Sequence, residues 1–123
     1  MRLVLGEILK HVSWPEANME FILTPLYEDD NAQLLKDCTE RVSKQGKLVD
    51  VIYDHDEFSG RVGLKCIKDW PKGPVDEHGQ PVPCTPENIK RLMKVGVARD
   101  FILAQVRSLD IHLQEEIAEA KNA

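Results

Sequence analysis

The chain reads as an α+β domain that is predominantly α-helical, with a short two-stranded antiparallel sheet, about four helices and a long C-terminal amphipathic helix. Three observations predict this. Ile102, Val106, Leu109, Leu113, Ile117 and Ala120 recur at steps of four, three, four, four and three, which is one stripe of a helix roughly six turns long at a rise of about 1.5 Å per residue. Thr85-Pro86-Glu87 is a helix start: a hydroxyl cap, a proline with no amide to leave orphaned, and an acid facing the helix dipole. Two short stretches, residues 19–26 and 47–53, have the β-branched and aromatic make-up of strands and are expected to pair with each other.

In chain order, Leu3, Leu5, Ile8, Leu9 and Val12 at mixed spacings predict a short helix that Trp14-Pro15 closes; residues 1–15 stand as an extra N-terminal segment of a single domain spanning 1–123. The segment 19–26 (MEFILTPL) is a short strand that Pro25 ends or confines to a sheet edge. Asp29, Asp30 or Asn31 caps the next helix, whose face carries Leu34, Leu35, Cys38 and Val42 before Gly46 stops it. KLVDVIY, residues 47–53, is a second strand. Phe58, Val62, Leu64 or Lys65, Cys66, Ile67 and Trp70 then repeat at helical spacing, with Asp54, Asp56 or Ser59 as cap. Gly60 and Gly63 weaken that helix by up to about 1 kcal/mol each, or permit a close contact.

Pro71 stops this segment, and with Pro74, Pro81 and Pro83 it marks a loop that no helix or central strand tolerates. Asp76-Glu77-His78-Gly79 is a turn with Gly79 at positive φ, so the loop folds back as a small irregular hairpin between Val75 and Val82. The helix begun at Thr85 carries Ile89, Leu92 and Met93, and Gly96 ends it before the long terminal helix.

Composition excludes several classes. A net charge of −5 repels a phosphate backbone, so nucleic acid is not the expected partner. Cys38, Cys66 and Cys84 are odd in number and show no C-x-x-C pair, which argues against a disulfide framework and for a reducing compartment. Glu7 and Lys10 interrupt the apolar start too early for a signal peptide or membrane span. No metal is expected: Asp54-His55-Asp56-Glu57 fails the EF-hand pattern at Phe58 and Ser59, and His11, His55, His78 and His112 lack ligand spacing. No catalytic residue and no cofactor site emerges. Cys66 is read as a core thiol, and Trp70 as a core anchor first and a binding hot spot second. The terminal stripe packs on the chain's own core by default, or offers Leu113 and Ile117 to another protein.

The succession of a helix ending in Lys68-Asp69-Trp70, a Gly/Pro loop, Asp76-Glu77-His78-Gly79, Pro81-Val82-Pro83-Cys84-Thr85-Pro86-Glu87-Asn88, two amphipathic helices and a closing Lys121-Asn122 resembles the small tail assembly chaperones of long-tailed bacteriophages and prophages. The likeness covers residues 58–123; Cys84 stands where that group often has an aromatic residue. It implies a non-enzymatic protein of the bacterial host's cytoplasm, absent from the mature virion, that binds tape-measure and tail-tube proteins; the sequence leaves a homo-oligomer open. Trp70, Val82, Ile102, Val106, Leu109, Leu113 and Ile117 are the partner-binding candidates, and Asp76, Gly79, Thr85, Pro86, Glu87 and Asn88 form the structural motif. The competing expectation is a small regulatory or ligand-binding domain that uses the loop 71–83 as its pocket wall.

Overall fold

The computed structural model describes residues 8–122, with side chains placed as far as Leu109. Five strands and four α-helices follow one another along it: β1 (Lys10–Trp14), β2 (Met19–Leu23), α1 (Glu28–Asp37), β3 (Thr39–Lys44), β4 (Lys47–Tyr53), α2 (His55–Cys66), β5 (Ile67–Lys72), α3 (Pro86–Met93) and α4 (Gly96–Asn122). The fold is therefore mixed α/β and not predominantly helical, and the single two-stranded sheet expected from sequence is replaced by two sheets. One is a three-stranded antiparallel sheet in the order β1-β2-β5; the other is the β3-β4 hairpin.

Three stretches that read as helix are strand. Residues 10–14 pair with β2 from Lys10 opposite Leu23 to Trp14 opposite Met19, where a short helix was expected. The helix expected to run to Gly46 ends at Asp37: the Cys38 amide makes the last helical bond, to the Leu34 carbonyl, Cys38 itself leaves helical geometry at φ −99° and ψ 9°, and the Thr39 hydroxyl donates to the Leu35 carbonyl at 2.6 Å. Residues 39–44 then form β3, and Gly46 (φ 75°) with Gln45 (φ 53°) makes a two-residue hairpin turn instead of a helix stop.

The third stretch is the end of the segment that runs to Trp70. Its last residues leave the helix after Cys66 and pair with β2, Leu23 opposite Ile67, Ile22 opposite Asp69 and Glu20 opposite Lys72. From 20 to 23 β2 advances three residues while β5 covers five, so two register shifts bring Ile67 and Trp70, three apart, onto the same buried side. A bulged strand thus imitates helical spacing. Pro71 is accommodated because β5 is an edge of its sheet. The residues 47–53 pair with β3 and not with β2.

The core lies between the three-stranded sheet and α2, α3 and α4. Phe21 and Leu23 meet Phe58, Val62 and Cys66 of α2, Ile89, Leu92 and Met93 of α3, and Ala98, Ile102, Leu103 and Val106 of α4. Trp14 stacks on Phe101 with centroids 4.5 Å apart, and Phe21 meets Trp70 edge-on at 6.4 Å. Between β2 and α1 the chain is tied at both ends, Thr24 N–H to the Cys66 carbonyl at 2.9 Å and Leu26 N–H to the Val106 carbonyl at 3.1 Å. No helix among the described residues is long and apolar enough to cross a membrane.

Helix starts follow local chemistry only in part. Asp54 caps α2, accepting the Glu57 amide at 3.0 Å, whereas α1 begins after Tyr27 with no side-chain cap and places Asp29 and Asp30 in its first turn. Gly96 opens α4 instead of closing α3. Thr85 caps α3: its hydroxyl accepts the Asn88 amide at 3.3 Å, with Pro86 as the first helical residue and Glu87 in the first turn. Thr85→Ala is expected to cost about 1 kcal/mol, read as a lower urea midpoint at unchanged slope. An unchanged midpoint would contradict the cap.

Candidate partner-binding surface

The sequence-selected residues divide sharply by burial. Ile102 and Val106 are fully buried and Trp70 is buried, so within this fold they hold the core together; Leu109 is half-buried against it. Leu113 and Ile117 lie on α4 beyond the placed side chains. Val82 is half-buried, and its carbonyl accepts the Trp70 indole N–H at 2.8 Å, the bond that holds the loop 71–83 against the sheet.

That loop is the small irregular hairpin its turn residues predict. Val75 and Pro81 bridge, Val82 N–H reaches the Pro74 carbonyl at 3.0 Å, and Gly79 takes φ 76°. Asp76 Oδ1 accepts the amides of His78 and Gln80, and the Asn88 amide group donates to the Pro83 carbonyl at 3.0 Å, which ties the loop to the helix start. The motif residues therefore form one joint: Asp76 and Gly79 hold the turn, Thr85 and Asn88 cap the helix and tie it to Pro83, and Pro86 and Glu87 make the first turn of α3. A cleft of about 550 Å³ lies elsewhere, lined by Asp54, Asp56, Glu57, Gly60, Arg61, Leu64, Lys90 and Lys94; Arg61 is already engaged by Glu57 at 2.7 Å. Among the described residues, no group of three or more His, Cys, Asp and Glu side chains is placed to hold a metal ion.

The three thiols are set by burial. Cys66 has no exposed surface, and burial pushes its pKa from an ordinary 9.0 to about 12; burial also raises Cys38 and, with the Asp69 carboxylate adding to it, Cys84. A raised thiol pKa favours the neutral form in the folded state. The contribution to stability is complete below about pH 9, where both states keep the proton, and is lost as pH rises towards about 12, because the unfolded chain ionises first. Stability is thus expected to fall above pH 9 less steeply in Cys66→Ala than in wild type. Equal slopes would contradict the burial of this thiol.

The surface that sequence reading did not single out is the β3-β4 ribbon. Its turn is tight because Gln45 and Gly46 both take positive φ, and its apolar strand residues are Val42, Leu48, Val49, Val51, Ile52 and Tyr53, all but Leu48 β-branched or aromatic. Every residue of β4 is exposed, with Leu48 at 56%, Val51 at 51% and Tyr53 at 42% of full exposure. In the ladder Leu48 stands opposite Ser43, Val51 opposite Arg41 and Tyr53 opposite Thr39, so the three apolar side chains share one face; Val49 is the extra residue at a bulge, and Ile52 lies on the other face beside Glu40. The base of the ribbon is fixed by the Asp54 amide bonding the Cys38 carbonyl at 2.9 Å and by the Tyr53 ring packing 5.9 Å from that of Phe58. The signal was present as a Gln-Gly pair between strand-forming runs. It was hidden because Leu34, Leu35, Cys38 and Val42 also fit one helical face.

Exposed apolar side chains also occur singly at Leu9, Leu35, Val75, Val95 and Val97, but β4 gathers five of them on one ribbon, and such a patch marks a surface suited to meet another molecule. Burying one such Val, Leu or Ile completely contributes about 1.5–3 kcal/mol. Comparison with protein-family models, curated proteins and solved structures finds no match to this chain.

Proposed function

We propose that this protein is a non-enzymatic tail assembly chaperone of a long-tailed bacteriophage or prophage. It binds the tape-measure and tail-tube proteins during tail morphogenesis, works in the cytoplasm of the bacterial host and is left out of the mature virion. The observation that carries the reading is the β3-β4 ribbon, which offers Leu48, Val49, Val51, Ile52 and Tyr53 to solvent on a rigid, anchored support. The resemblance of residues 58–123 to the small tail chaperones supplies the identity of the partners. A tape-measure protein is a long helical rod with apolar faces that self-associate until assembly covers them, and a small acidic domain with one apolar ribbon is suited to cover them first. The competing reading, a ligand-binding domain walled by the loop 71–83, is less supported, since Asp76 turns its carboxylate to the loop's own amides and Trp70 is pinned to Val82.

Co-expression with the tape-measure protein encoded beside it tests the proposal. The expected result is that the tape-measure protein stays soluble and co-purifies with this chain. A tape-measure protein equally insoluble with and without it removes the chaperone reading.

A further inference from the structure

The two faces of the β3-β4 ribbon differ in chemistry. Antiparallel pairing puts Thr39, Arg41 and Ser43 on one face with Tyr53, Val51 and Leu48 opposite them, and Glu40, Val42 and Lys44 on the other with Ile52, Asp50 and Lys47. On the second face two acids and two lysines balance. The first carries three large apolar side chains, two hydroxyls and one charge, Arg41, with no acid. Arg41 is exposed, and among the described residues no carboxylate lies within ion-pair reach of it. Burial raises the pKa of the Tyr53 phenol, with Cys38 and Asp54 adding to it, and the Arg107 guanidinium of α4 acts the other way, which places a second exposed cation at the base of this face. The Asp54 carboxylate is engaged there by the Glu57 amide at 3.0 Å. On a chain of net charge −5, this face is locally positive.

Its spacing suits a helix. Leu48, Val51 and Tyr53 stand across from Ser43, Arg41 and Thr39, so they follow one another in steps of about 6.6 Å, while residues i, i+4 and i+8 of an α-helix rise by about 6.0 Å a step. A helix lying along the ribbon sets three apolar residues of one ridge against these three side chains, out of step by only about 1 Å over the contact. A strand is less suited to β4, because Val49 bulges from the ladder and the Asp50 carboxylate already holds the Val51 amide at 2.8 Å. A two-stranded ribbon is marginal alone in water and gains stability by packing against a helix, and every residue of β4 is open to one.

We propose that the face formed by Leu48, Val51 and Tyr53 with Arg41 and Arg107 is the docking site for an amphipathic helix whose apolar ridge is flanked by glutamate or aspartate. This deepens the function proposed above and rests on it only for the protein that supplies the helix. The ridge supplies the area removed from water. The flanking acids select the partner, because a helix flanked by lysine brings like charges against Arg41 and Arg107. The opposite face, with its own acids and lysines around Ile52, takes no part.

Two short helical peptides with the same leucine ridge, one flanked by glutamate and one by lysine, test this. Calorimetry of each with the full chain at low ionic strength, where surface charges are least screened, is expected to show the glutamate peptide bound at least about tenfold more tightly, with the gap closing as salt is added. The overall charge of −5 favours the lysine peptide, so the expected order comes from this face alone. Arg41→Glu is expected to remove the preference, Val51→Thr to weaken the glutamate peptide, and Ile52→Thr to leave it unchanged. Equal binding, a preference for lysine, binding of neither peptide, a preference that survives in folded Arg41→Glu, or a loss in Ile52→Thr as large as in Val51→Thr overturns the proposal. If Arg41→Glu does not fold, Arg41→Gln removes the charge alone and is expected to narrow the gap, and an undiminished preference overturns the proposal. Tape-measure solubility is read separately. A tape-measure protein kept soluble while the peptides show no preference leaves the chaperone function standing and removes this face, and the opposite pair of results does the reverse.

Discussion

Trp70→Ala is expected to lower stability by about 3–5 kcal/mol, the range for truncating a large buried aromatic. The indole is 6% exposed, meets Phe21 edge-on, and donates to the Val82 carbonyl at 2.8 Å, so the substitution opens a cavity under the sheet and frees the loop 71–83 together. Gly73 shows how closely that loop lies on the ring, since a Cβ there would overlap the indole. Trp70→Phe keeps most of the apolar volume and loses the hydrogen bond, and is expected to cost at least about 1 kcal/mol. Urea unfolding of both variants is the check: equal midpoints for Trp70→Ala and wild type would contradict the anchoring role.

Gly63→Val is expected to cost about 2–3 kcal/mol, while Gly60→Ala, three residues earlier in the same helix, is expected to gain about 0.5–1 kcal/mol. A Cβ on Gly63 would stand 2.5 Å from Met93 Cγ and 3.1 Å from Ile89 Cγ2, so any side chain there forces Met93 out of its place in the core or parts α2 from α3. A Cβ on Gly60 meets nothing within 4 Å, which leaves only the helix-propensity difference to act. Thermal unfolding of the two variants separates them. Two shifts of the same sign would mean that the α2-α3 contact is not as close as the structure places it.

These two glycines show what sequence carries and what it withholds. Their presence in a helix is legible as a local weakness, and which one is a packing requirement is decided by Ile89 and Met93, twenty-six or more residues away. Where local chemistry closes on itself, reading succeeds: the Thr85 cap, the positive φ of Gly79, the turn around Asp76 and the strand character of residues 47–53 are all as their residue types require. Where pairing is distant, it fails. β2 finds β1 on one side and β5 on the other, and two register shifts in β5 space Ile67 and Trp70 as a helix would. Val42 fits a helical face as well as a strand, and the Thr39 hydroxyl bonded to the Leu35 carbonyl helps to end the helix. The candidate surface was missed for that reason: with β3 read as helix, residues 47–53 were expected to pair with residues 19–26, and the exposed hairpin they form with β3 was not foreseen.

The claim that the protein acts by binding through the ribbon is tested most directly by the affinity of the tape-measure protein for a variant with Leu48→Thr, Val51→Thr and Ile52→Thr. Threonine is β-branched and suits a strand at all three positions, and these positions are exposed, so the melting temperature is expected to stay near wild type, each change costing no more than about 0.5 kcal/mol. The expected result is a dissociation constant raised at least tenfold, about 1.4 kcal/mol of lost binding. A folded variant that holds the tape-measure protein as tightly as wild type would contradict the account.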